Sequence, residues 1–101
     1  MSDQPGTGGG EPSRQQAQIR VVVDDEVKHG EYANFLVVTH GPHDFTLDFC
    51  QLLPSGEQGI VNAEVTSRVR IAPTMVGQVL RALNTNLSNY EDKFGDVKAL
   101  G

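Results

Sequence analysis

His40 and His43 flank Gly41-Pro42, Asp44 follows at once and His29 lies a short way upstream, a set from which a histidine and carboxylate metal site could be built. A tetrahedral site needs more ligands than this. No cysteine or further histidine completes the set, so solvated turn residues are expected, with His40 and His43 the only metal-ligand candidates. Cys50 or Ser67 could serve as a nucleophile beside a histidine base. Both fall mid-strand, outside any nucleophile motif, where period two directs them onto a sheet face and not into a loop-built cleft. Asp24-Asp25-Glu26 lacks the alternating acids, glycine and distant glutamate of a calcium loop, and Gly8-Gly9-Gly10 lacks the preceding strand and the Gly-Lys-Ser/Thr of a phosphate loop. No catalytic residue, no cofactor and no enzymatic activity are expected.

Composition narrows the partners. The net charge of −5 runs against nucleic-acid binding, which calls for a basic stripe. The longest apolar run, Phe35 to Val38, is far below the ~20 residues that cross a bilayer, and the N-terminus shows no basic segment followed by an apolar one. A soluble, unexported chain is expected, and one cysteine, which excludes an internal disulfide, suits the reducing cytoplasm. A chain of 101 residues holds one domain, and at this size only a little over ~60% of the unfolded surface is buried. With disulfides excluded, oligomerisation is the expected remedy.

Residues 1–18 are rich in glycine, proline and glutamine and almost without apolar side chains, which predicts a disordered tail. A single α+β domain is expected over 19–97, with 98–101 as a C-terminal tail. Four strands are predicted: Ile19–Asp24, Tyr32–His40, Asp44–Leu52 and Val61–Ile71, joined by the turn around Gly30, the Gly41-Pro42 hairpin and the Leu53–Gly59 breaker cluster. Together they form an antiparallel meander. Then Val76, Leu80, Leu83, Leu87, Tyr90 and Phe94 recur at helical spacing, predicting one long amphipathic helix from Pro73 to Phe94, stopped by Gly95.

Strand alternation places Ile19/Val21/Val23, Phe35/Val37, Phe45/Leu47/Phe49 and Val61/Val65/Val69 under that helix. The opposite face then presents Val22, Tyr32, Leu36, Val38, Cys50 and Arg68, with Asp48 positioned to pair with Arg68 or Arg70. One helix cannot cover both faces. That second face is therefore the expected interface of a homodimer or higher closed oligomer. The polar side of the helix, with Gln78, Thr85, Asn86, Ser88 and Asn89, carries little charge and is compatible with contact to another chain. Gly77 inside the helix would be explained by a closely approaching backbone.

The ordered elements Glu31-Tyr32-Ala33-Asn34-Phe35, Phe45-Thr46-Leu47-Asp48-Phe49, Ala72-Pro73 and Tyr90-Glu91-Asp92-Lys93-Phe94-Gly95 resemble domain-of-unknown-function family 3467 (DUF3467), small prokaryotic proteins, over about Ile19 to Val97. The resemblance supports the fold and its bounds and leaves the function open. A four-stranded antiparallel sheet followed by a long helix also looks like the subunit of the bacterial preprotein-export chaperone. Three functional expectations follow: a homo-oligomeric structural or adaptor module mediating protein–protein interaction, a holdase for unfolded polypeptide, and a metal-dependent enzyme using the histidine hairpin.

Overall fold

The computed structural model describes residues 17–98. The chain divides at Gly30 into two compact units. Most of the tail expected at 1–18 lies outside the described residues, as do residues 99–101.

In the first unit, the strand expected at Ile19–Asp24 does not form: these residues join no ladder, and Ile19 is 94% exposed. Two consecutive turns follow, closed by hydrogen bonds from Val27 N to Asp24 O and from Gly30 N to Val27 O, both 3.0 Å, with Gly30 at φ 71°. Alternation of β-branched residues specifies a strand only where a neighbouring edge is bonded to it, and here none is. The sheet accordingly has three strands in place of the four expected.

In the second unit the strands are β1 (Phe35–His40), β2 (Phe45–Pro54) and β3 (Val61–Ile71), antiparallel in the order β1-β2-β3. β1 starts later than the expected Tyr32. Asn34 interrupts it: its side-chain Oδ1 accepts from Leu52 N at 3.0 Å, so a side chain occupies a position that a ladder carbonyl would otherwise fill. The hairpin at Gly41–Asp44 is closed by Gly41 N donating to Asp44 O at 3.0 Å. That even-length connection sets His40 opposite Phe45, and with it Val38 opposite Leu47 and Leu36 opposite Phe49. The faces therefore differ from those expected. Leu36 and Val38 share a face with Phe45, Leu47 and Phe49, while Phe35 and Val37 pair with Cys50 and Asp48 on the other.

A bulge makes a second exchange. Phe49 pairs with Ser67 and Cys50 with Val65, so Thr66 has no partner and instead donates its hydroxyl to Phe49 O at 3.0 Å. Val69 and Ile71 thus lie on the Leu47 face, whereas Val61, Ala63 and Val65 lie on the Cys50 face. The alternation of β3 is regular in sequence but changes sides in space.

After β3, Pro73–Met75 forms a 3-10 turn and α1 runs over Val76–Phe94. Proline in the first turn forfeits no hydrogen bond, and Ala72 supplies no side-chain cap. Gly95, at φ 96°, ends the helix and donates to Glu91 O at 2.9 Å. Among the described residues of this chain no backbone comes close to Gly77: the nearest atom to an added Cβ is the Arg81 guanidinium Nη1, at 3.3 Å. That flexible end can move aside. Gly77→Ala should therefore raise stability by about 0.5–1 kcal/mol, read as a higher denaturation midpoint, and a lower midpoint would reveal an approach by another chain.

Candidate functional site

Hydrophobic side chains from both layers meet in an apolar cavity of about 190 Å³ lined by Leu36, Val38, Phe45, Leu47 and Ile71 of the sheet and by Val76, Val79, Leu80 and Leu83 of α1. Here the first two to three turns of the helix face the sheet. The rest of the stripe has no such cover. Phe94 is 70% exposed, Leu87 and Tyr90 are open as well, and even Leu83, the last residue at the cavity, is 64% exposed. Tyr90 and Phe94 stack on one another, one helical turn apart, with ring centroids 4.9 Å apart.

The other sheet face carries the charges. Asp48 is 8% exposed and accepts a side-on pair of hydrogen bonds from Arg68, Nε to Oδ1 at 2.6 Å and Nη2 to Oδ2 at 2.9 Å. Arg70 reaches past its opposite residue Thr46 to Asp44, placing both Nε (2.9 Å) and Nη2 (2.6 Å) on Oδ2. Of the two arginines considered for Asp48, the register selects Arg68. Cys50, 1% exposed between Phe35 and Val65, points its Sγ to Asp48 O at 3.4 Å. Its thiol is shielded from solvent and so poorly placed to react.

The Arg68 hydrogen bonds, helped by the guanidinium charge and opposed by desolvation, hold the Asp48 carboxyl below its ordinary value. A carboxyl depressed on folding contributes stability above its unfolded pKa of ~3.9, and that contribution is lost as pH falls through the lower folded value. Arg68→Gln should accordingly flatten the acid limb of a denaturation series below about pH 4. An unchanged acid limb would show that the pair does not favour ionised Asp48.

The metal candidates separate in role. His40 packs its ring against Phe45, centroids 5.4 Å apart, and His43 lies in the hairpin turn. Among the described residues no three histidine, cysteine, aspartate or glutamate side chains converge on a point where a metal could sit.

Of the six residues expected to share an interface, the four on the strands divide between the two faces of the sheet. Leu36 and Val38 line the cavity, Cys50 and Arg68 occupy the reverse face, Tyr32 precedes β1 and Val22 belongs to the first unit. What that reading missed is the open distal half of the helix stripe. Its signal was the reach of the stripe itself: α1 spans 19 residues, about 28 Å at 1.5 Å per residue, while the helix residues that line the cavity end at Leu83.

No helix among the described residues is long and apolar enough to cross a membrane. No curated protein and no solved structure matches the chain. The model of the family "Protein of unknown function (DUF3467)" matches residues 1–99, a wider span than the Ile19–Val97 motifs, and the chain belongs to that family.

Proposed function

We propose that this chain is a non-catalytic, homo-oligomeric structural or adaptor module that works through protein–protein contact. One observation carries the reading: among the described residues only Cys50 and Asp48 are buried, while the stripe from Leu80 to Phe94 stands half or more exposed at most of its positions. A domain with so small a core gains stability by covering apolar surface with another chain. Leu36 and Val38, about half exposed at the cavity, are suited to that contact, whereas Cys50 is already covered by its own chain. The acidic balance and single cysteine accord with a cytoplasmic protein that engages neither nucleic acid nor membrane.

Sedimentation at micromolar concentration tests this directly. A particle of at least two chains is expected, and a stable 10.9 kDa monomer would overturn the proposal. The same open apolar surface is what an export-chaperone-like holdase would offer to an unfolded polypeptide. Suppression of aggregation of a reduced, unfolded client would favour that reading over the adaptor.

A further inference from the structure

Among the residues described in the second unit, β1 is an edge strand, and its own sequence does nothing to blunt it. Its sequence, Phe35-Leu36-Val37-Val38-Thr39-His40, contains no Lys, Arg, Asp, Glu or Pro, all six residues are exposed, and only β2 is bonded to it. Soluble proteins ordinarily protect such an edge with charge, proline or a bulge. The opposite edge, β3, has this protection in Glu64, Arg68, Arg70 and the bulge at Thr66.

The helix leads to the same edge. It follows directly on β3, and its residues Val76 to Leu83 share one cavity with Ile71 of β3 and with Leu36 and Val38 of β1. Leu87, Tyr90 and Phe94 continue along the stripe beyond Leu83, the last residue that lines the cavity.

We propose that a second copy of this chain occupies that edge: β1 pairs with β1 antiparallel about a two-fold axis, and the distal half of each α1 lies over the partner's sheet. This rests on the self-associating module proposed above. A two-fold perpendicular to the sheet keeps the Leu36/Val38 face on one side in both copies, so the three strands become six and both helices share one side. The overhanging stripe then meets apolar sheet surface instead of water. With full aromatic areas of about 150–250 Å² and somewhat less for aliphatic side chains, the exposed fractions of Leu80, Leu83, Leu87, Tyr90, Phe94 and the two β1 residues leave on the order of 800 Å² per chain. That is what one partner contributes to a standard stable interface.

Val37 tests the pairing. It lies opposite Asp48 within its own sheet, so a lysine there is compatible with the chain's own fold, yet a two-fold through the middle of β1, between Val37 and Val38, would bring it close to its counterpart as a like charge. Val37→Lys should weaken association at least tenfold by sedimentation with an unchanged helical circular dichroism spectrum. In a Cys50→Ser background, Val37→Cys or Val38→Cys should give a disulfide-linked dimer on oxidation. Should neither cysteine cross-link while the protein remains associated, or Val37→Lys associate like wild type while a charge on the distal helix dissociates it, strand pairing is wrong and the module stands. A monomeric wild type overturns both.

Discussion

Phe45→Ala should lower stability by about 2–3 kcal/mol, and Val61→Ala by less than about 1 kcal/mol, although both residues begin strands with the same apolar alternation. Phe45 lines the cavity beneath the helix, stacks on His40 and pairs with both His40 and Ile71, so truncation removes contacts in three elements. Val61 lies beyond the bulge on the other face, opposite Pro54, and is 63% exposed. For a domain of 60–100 residues, each kcal/mol moves Tm by roughly 4–8 °C, so a fall of about 10–20 °C is expected for Phe45→Ala. Equal shifts for the two variants would mean that the face assignment made by the Thr66 bulge is mistaken.

The same two residues show which parts of the fold were legible. The bounds of β3 and the end of the helix at Gly95 follow from local chemistry: alternation closed by proline on one side, and a glycine able to take φ 96° on the other. The assignment of faces does not follow from local chemistry. A slip of one residue moves a whole set of side chains to the other side, and two such slips occur here, at the Gly41–Asp44 connection and at Thr66. Neither disturbs the alternation within a strand. Asp48 and Arg68 were legible as a pair because opposite charges on neighbouring strands attract in either arrangement, and the register only had to choose between Arg68 and Arg70. Ile19–Asp24 has the composition of a strand and lacks the neighbour that would make it one, which no period in the sequence can report. The open helix end was the opposite case, since the stripe was plain and the missing quantity was how much of it the sheet covers, which ends at Leu83.

Leu87→Asp should convert the associated protein into a monomer of 10.9 kDa while leaving its fold intact. Leu87 lies on the stripe one turn beyond Leu83, does not line the cavity, and is 43% exposed in the single chain. A carboxylate there remains solvated in the monomer. In a covered interface it would lose its water without gaining a cation, a penalty of several kcal/mol, so the dissociation constant should rise at least a hundredfold. Thr85→Ala, off the stripe on the same helix, controls for handling and should change stability by under about 0.5 kcal/mol. Circular dichroism separates the outcomes: retained helicity with a halved mass or less supports the distal stripe as the contact surface. If instead Leu87→Asp keeps the wild-type mass and melting temperature, the exposed stripe is not the contact surface, and the adaptor reading loses the observation that carries it.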